Sequence, residues 1–426
     1  MVPTERNPTP VSDARGTELE LEIGAVAHGG HCVARIDGRV VFVRHTLPGE
    51  LVRAIVTDGT SDSRFLRADA VEVLRASPDR VAAPCRYAHP GGCGGCDWQH
   101  VTLAAQRRLK AAVVEEQLRR LARLERTVEV EALPGRDDGL RWRTRVRYAV
   151  DDAGRVGFRR SRSHVVVPVE ACEIATDAVR AAPVTDRRWR GYAEVEVTAG
   201  SAPDAGEPAV RVTNGAGTVR QVAGRTRVRE HAAGRDWQVA PGGFWQVHPA
   251  SADTLVDAVL VAAAPRPGER CLDLYAGVGL FAGALADAVG VKGAAGVVDA
   301  VEADIAACAQ ARRNLHGIAA VRITQAPVDR WLRDGDRTAD VVVLDPPRSG
   351  AGAAVVRSLA ELAPRVIVYV ACDPAALARD VATFAALGYA LSALRAFDLF
   401  PMTHHVECVA TFESAVARLV PVPSGS

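Results

Sequence analysis

At 426 residues the chain is too long to fold around one core, and 48% apolar residues with a formal net charge of +1 exclude both a disordered polyelectrolyte and a polycation. No run reaches the roughly 18 apolar residues needed to cross a bilayer and no signal-peptide pattern follows Met1, so a cytosolic protein without membrane attachment is expected. Nine cysteines in such a compartment do not make a disulfide framework, so any that cluster need metal or catalysis as an explanation. Lys110 and Lys292 are the two lysines among 52 basic residues, a bias to which we attach no function.

Residues 1–16 and 418–426 are polar or Pro-bearing without periodicity and are expected to be disordered tails. Short alternating runs punctuated by glycine then follow, from Leu19 to Ile23, Cys32 to Ile36, Val40 to Val43, Leu51 to Thr57 and Ala70 to Leu74. Five strands so close together predict a small OB-like β-barrel over 17–77. The stretch from Asp97 to Arg126 lacks Gly and Pro and repeats its leucines at helical spacing, which predicts one amphipathic helix. It belongs to a central α+β domain over 78–240. Over 241–417 seven strand candidates alternate with Ala-rich helices: Cys271 to Leu274, Gly296 to Val301, Ala319 to Thr324, Val341 to Leu344, Val366 to Val370, Ala390 to Ala393 and Val406 to Phe412. That alternation predicts a doubly wound, mostly parallel α/β sheet.

In such a sheet, ligands meet the carboxyl ends of the strands. Asp273-Leu274-Tyr275-Ala276-Gly277-Val278-Gly279 ends the first of these strands and leads into a helix, and Glu302 closes the next, where a carboxylate can take both hydroxyls of a ribose. Gly283 stands four residues after Gly279, where a dinucleotide fingerprint wants three, so S-adenosylmethionine fits better. Asp345-Pro346-Pro347-Arg348 ends the fourth strand, like the acidic-Pro-Pro element that borders methyl and substrate in methyltransferases of this general fold. Cys372, just past the run Val366 to Val370, is placed as a nucleophile.

Cys85, Cys93 and Cys96 crowd a glycine-rich loop, with Cys172 far downstream. Close thiols of this kind point to metal, either zinc or a 4Fe–4S cluster, and the three-plus-one arrangement fits the cluster better. Cys32, Cys271, Cys308 and Cys408 lie among apolar neighbours and read as small core residues.

With these motifs in place, the chain from about Leu19 to Glu413 resembles the RNA uracil-5 methyltransferases, specifically the 23S ribosomal RNA and tRNA enzymes that carry a TRAM domain and an iron–sulfur cluster. Gly29-Gly30, Gly38 through Val43 and Leu47-Pro48-Gly49-Glu50 look like the TRAM signature, which implies an RNA-binding barrel. The resemblance implies that Cys85, Cys93, Cys96 and Cys172 hold 4Fe–4S. It also implies that a Rossmann-like domain binds S-adenosylmethionine through Gln246, Tyr275, Gly277, Gly279, Leu280, Glu302 and Asp345. Cys372 matches the family's nucleophile, Glu407 its general base, and Asp345 and Arg348 its substrate motif.

Two positions depart from the family. Asp373 replaces its usual Asn after the nucleophile, and that charge is expected to raise the thiol's pKa. The apolar Ala326-Pro327-Val328 stands where a polar residue commonly reads the adenine, leaving that contact to backbone or lowering affinity. Arg141, Arg143, Arg145, Arg147, Arg155, Arg159, Arg160 and Arg162 crowd one stretch, and the alternation from Arg141 to Arg147 predicts a strand face for RNA phosphates. The partner expected is RNA, 23S ribosomal RNA ahead of tRNA, bound by a monomer. A methyltransferase acting on another atom without a covalent adduct, or a catalytically weak RNA-binding iron–sulfur protein, also fits these residues.

Overall fold

A computed structural model describes residues 12–290, 295–335 and 337–414; the expected 418–426 tail and most of the 1–16 tail lie outside them. The chain divides into two compact units. One gathers the residues up to Gln106 with Arg160–Arg162 and Met402–His404, and the other holds the rest.

In the first unit, β1 (Glu18–Glu22), β2 (Cys32–Ile36), β3 (Arg39–Arg44), β4 (Leu51–Asp58) and β5 (Phe65–Arg75) form one curled sheet in the order β1-β4-β5-β3-β2. Alternation sets its inside: Val41 and Val43 of β3, and Val52, Ala54 and Val56 of β4, are buried. The β2–β3 hairpin turns at Asp37-Gly38, both at positive φ, as a two-residue turn between right-twisted strands requires. β5 starts at Phe65, well before the expected Ala70, because Arg67 and Asp69 on its outer face break the apolar pattern.

The helix expected from Asp97 to Arg126 is shorter. Asp97 and Trp98 donate their N–H groups to Met402 O, and helix α1 (Leu103–Gln117) begins only after Thr102, whose hydroxyl accepts from Ala105 N. A π-helical turn at Leu118–Ala122 follows, and Arg123 in the left-handed region ends it.

The second unit holds a six-stranded sheet, a hairpin and the large sheet. The first has the order β12-β11-β10-β7-β8-β9, built from β7 (Arg145–Val150), β8 (Val156–Arg159), β9 (Val166–Pro168), β10 (Tyr192–Thr198), β11 (Ala209–Asn214) and β12 (Val219–Ala223). Short helix α2 (Asp177–Ala181) lies between β9 and β10 in the chain; β13 (Val228–Ala232) and β14 (Arg235–Val239) make the hairpin.

The large sheet has eight strands, one more than expected. Added to β15 (Arg270–Leu274), β16 (Val297–Glu302), β17 (Val321–Gln325), β18 (Val341–Leu344), β19 (Val366–Ala371), β20 (Tyr389–Asp398) and β21 (Glu407–Ser414) is the three-residue β6 (Val130–Ala132). The order is β17-β16-β15-β18-β19-β21-β20-β6. The first five are mutually parallel; β21 runs antiparallel between β19 and β20. β18 and β19, and β15 apart from its end residue Arg270 and the buried Asp273, are apolar on both faces because each face has its own core. One core packs α3 (Ser251–Ala263) and α4 (Leu280–Val289) against Cys271, Val343 and Val368. The other packs α6 (Val328–Arg333), α7 (Gly352–Leu362) and α8 (Pro374–Ala386) against Leu272, Leu344 and Ile367.

Candidate active site

The parallel ladder puts Leu274, Val301 and Leu344 side by side at the carboxyl edge, so the residues that follow them share one rim. After β15, Tyr275 turns at φ 64° and Gly277 at φ 55°, and Gly277 N donates to Glu302 Oε2 at 2.9 Å. Glu302 Oε1 accepts from Asp304 N, which fixes the carboxylate at the head of α5 (Ile305–Asn314). Gly279 caps α4 at φ 92°; a Cβ there would come within 2.6 Å of Leu315 Cδ1, so only glycine lets Leu280 begin the helix this close to its neighbour.

Gln246, 9% exposed, is held by backbone anchors on either side. Arg145 Nη1 donates to Gly243 O, and Thr144 donates through N and Oγ1 to Val247 O. Ala326 N donates to Glu302 O, so that amide is not the donor that reads an adenine.

Cys372 and Glu407 are brought together by register. Ala371 of β19 pairs with Cys408 of β21, so one further step along the antiparallel ladder sets Cys372 opposite Glu407. Asp345 follows β18 and donates its N–H to Leu274 O. Gly350 N bonds Pro347 O at 2.8 Å, closing a turn around the exposed Arg348.

Burial dominates the electrostatics. It pushes the Cys372 thiol up to about 12, the charges of Glu407 and Asp345 add to that, and Arg348 pulls the other way. Glu407, 4% exposed, is raised well above the carboxylate range by burial and then by Asp345, with Arg348 again opposing. Burial likewise raises Asp345. Asp273 is raised to about 7 by burial and by the charges of Asp345 and Glu302; its Oδ2 accepts from Ala282 N, while the buried Oδ1 has no hydrogen-bond partner among the described residues. Buried acids gathered around Asp345 mark a place suited to a positive charge, which a sulfonium group brings. Nothing in its motif singles out Asp273, whose orphan oxygen is visible only in three dimensions.

Asp373 also has a structural role. Its side chain accepts from Ala376 N at 2.8 Å as the N-cap of α8, with Pro374 in the first turn, so its charge is directed at a helix N-terminus. Of the charges around the thiol, those of Glu407 and Asp345 raise it most.

The metal site corrects one expectation. Among the described residues no group of three or more His, Cys, Asp or Glu side chains is placed to hold a metal ion, so the 4Fe–4S cluster expected at Cys85, Cys93, Cys96 and Cys172 is withdrawn. Spacing along a loop determines which thiols can meet, but a cluster needs four sulfurs converging on one volume. Here Cys93 Sγ accepts from Gly95 N and Cys96 Sγ from Gln99 Nε2.

The arginine stripe is also not the uniform face expected. Only Arg145 and Arg147 lie in β7. Arg141 pairs with Glu173 and Asp177, Arg145 is buried against Glu230, and Arg147 reaches Glu194 and Glu196.

Comparison with known proteins fits this geometry. Residues 14–71 match the TRAM domain, and 236–414 match the family described as tRNA (Uracil-5-)-methyltransferase. An RNA methyltransferase of Streptomyces avermitilis is 52% identical, covering 95% of this chain and 100% of its own. The 23S rRNA (uracil(1939)-C(5))-methyltransferase RlmD of Pseudomonas putida is 32% identical, over 94% of each chain. Its counterpart in Halomonas elongata is 34% identical over 96% of this chain and 92% of its own. The chain belongs to the RNA uracil-5 methyltransferases. It is a methyltransferase that uses S-adenosylmethionine and acts on uracil in RNA. The fold agrees: the crystal structure of Pyrococcus abyssi tRNA (uracil-54, C5)-methyltransferase with S-adenosyl-L-homocysteine superposes with a TM-score of 0.69, at 24% identity, over 92% of this chain and 100% of that one. Among the described residues no helix is long and apolar enough to cross a membrane.

Proposed function

We propose that this uracil-5 methyltransferase modifies one uridine of 23S ribosomal RNA in the cytosol, through an adduct between Cys372 and carbon 6 of the base. The observation that carries the reading is the register that sets Cys372 opposite Glu407, with the charges of Asp345 and Arg348 acting on both or either of them. The ribosomal target rests on the full-length likeness to the two enzymes named for 23S RNA.

Uracil carbon 5 is a poor nucleophile until a thiolate adds to carbon 6. Cys372 loses its thiol proton to solvent, its sulfur adds to carbon 6, and the π electrons move toward oxygen 4 as an enolate. Arg348 favours the ionised thiol and, with Asp345, holds the uracil edge as charge develops on it. S-adenosylmethionine, when bound, supplies the methyl group that carbon 5 takes up; Gln246, Tyr275, Gly277, Gly279, Leu280, Glu302 and Asp345 are the residues we assign to holding it. Carbon 5 then carries both methyl and hydrogen. Glu407 takes that proton, the 5,6 double bond reforms and the Cys372 thiolate leaves.

The test is a denaturing gel after incubation with S-adenosylmethionine and RNA carrying 5-fluorouridine, whose fluorine cannot leave as a proton. A stable RNA adduct that disappears in Cys372→Ala is expected, and sequencing the trapped RNA names the uridine. With ordinary RNA, Glu407→Gln should accumulate the methylated adduct that the parent resolves. Absence of any adduct, in a protein that binds the cofactor, would sink the covalent reading.

A further inference from the structure

Tyr369 and Asp380 flank Cys372 on one strand–turn–helix, and both reach the segment that follows Arg348. Asp380, on α8, is 4% exposed. Its Oδ2 accepts from Tyr369 OH at 2.8 Å, from Ala351 N at 2.9 Å and from Gly352 N at 3.3 Å. Ala351 N also donates to Tyr369 OH at 3.0 Å. A buried carboxylate oxygen taking this many donors is a rigid fixture, because each donor it lost would leave a desolvated charge underpaired.

Gly350 makes the approach possible. A Cβ at this position would lie 2.7 Å from Asp380 Oδ2 and 3.3 Å from Ala376 Cβ, and its φ of +88° already favours glycine. The same Gly350 closes the turn around Arg348 by donating to Pro347 O. Ala376, which a Cβ at position 350 would crowd, is the residue whose N–H Asp373 caps. Hydrogen bonds therefore tie α8, the helix that Asp373 caps, to the segment that directly follows the loop bearing Asp345 and Arg348.

We propose that Asp380 and Tyr369 are positioning residues that hold the Asp345–Arg348 loop in place relative to Cys372 and so set the rate of adduct formation. This rests on the reading of Cys372 as nucleophile. Neither residue touches the base; they act through the loop. Misplacing a reacting group by about 1 Å costs on the order of a hundredfold in rate, which is the scale at which loss of this clamp is felt.

The experiment uses the full-length enzyme and compares Asp380→Ala, Asp380→Asn, Tyr369→Phe and Gly350→Ala with the parent. It reads single-turnover adduct formation on 5-fluorouridine RNA, transfer of labelled methyl to ordinary RNA, RNA and S-adenosylmethionine affinity, and thermal midpoint. Asp380→Ala and Gly350→Ala are expected to slow adduct formation roughly ten- to a hundredfold, with RNA affinity within about threefold of the parent. Asp380→Asn keeps an acceptor and should recover most of the rate, and Tyr369→Phe should slow it severalfold while remaining folded. Adduct rates within twofold of the parent in Tyr369→Phe and in the folded alanine variants would overturn the proposal, whatever their melting temperatures. If the parent itself forms no adduct, the nucleophile assignment fails, and labelled methyl transfer still reports whether the clamp governs turnover.

Discussion

The carboxyl groups of Asp273, Asp345 and Glu407 hold their protons more tightly than ordinary acids because burial disfavours charge, and the charge of Asp345 adds to this at Asp273 and Glu407. For Asp273 the folded-state value near 7 lies above the ordinary 3.8, so its contribution to stability is complete below about pH 4 and is lost as pH rises through 7. A sulfonium cation favours the ionised acids, so its binding should release protons and S-adenosylmethionine affinity should rise between pH 5 and 7. Calorimetry in two buffers of different ionisation enthalpy checks this; heats that do not depend on the buffer would count against it. Asp373 leads to a different expectation. Asn caps a helix about as well as Asp, so Asp373→Asn should change turnover less than twofold, whereas Asp373→Ala should cost about 1 kcal/mol of stability, read by thermal unfolding. The motifs at Cys372, Asp345 and Glu302 were legible in sequence because each follows an apolar strand. Asp380 was not, since an acid within an Ala-rich helix looks the same whether it faces water or a buried hydroxyl.

At the scale of elements, two surfaces have measurable consequences. The outer face of β3 and β5 carries Phe42 and the 41% exposed Phe65, with rings 5.5 Å apart, His31 against the first and Arg67 over both. In an RNA-binding protein such a face stacks unpaired bases, and one stack is worth about tenfold in affinity. Phe65→Ala should therefore raise KM for RNA about tenfold with kcat nearly unchanged; an unaltered KM would remove this face from the interface. Deeper in the second unit, Lys110 of α1 donates to Asp398 at the end of β20 and to Phe400 O, fully buried. Lys110→Met would strand the Asp398 charge and should cost about 3–5 kcal/mol in a urea titration. Most strands of the curled sheet and of the large sheet could be read from period and glycine punctuation. β6 could not, because Val130–Ala132 is too short to show a period, and α1 lost its first residues to hydrogen bonds made with a segment three hundred residues away in sequence. The cysteine loop misled for a related reason: spacing reports neighbours along the chain and is silent on convergence in space.

For the molecule as a whole, a net charge of +1 gives little long-range pull on RNA, so association should depend on salt through local phosphate contacts alone. A plot of log affinity against log salt with a slope of only a few is the expected outcome. The topology of the large sheet has a further consequence. β21 is the last described strand, yet it sits inside the sheet, hydrogen-bonded on one side to β19 and on the other to β20. A chain that ended at Phe400 would lack Glu407, and it would also leave β19, apolar on both faces, with an uncovered edge. Such an edge is a template for strands of other chains. Premature termination in the last thirty or so codons before β21 should thus yield an insoluble product, so truncation would be seen first as aggregation, before any assay of methyl transfer could be run.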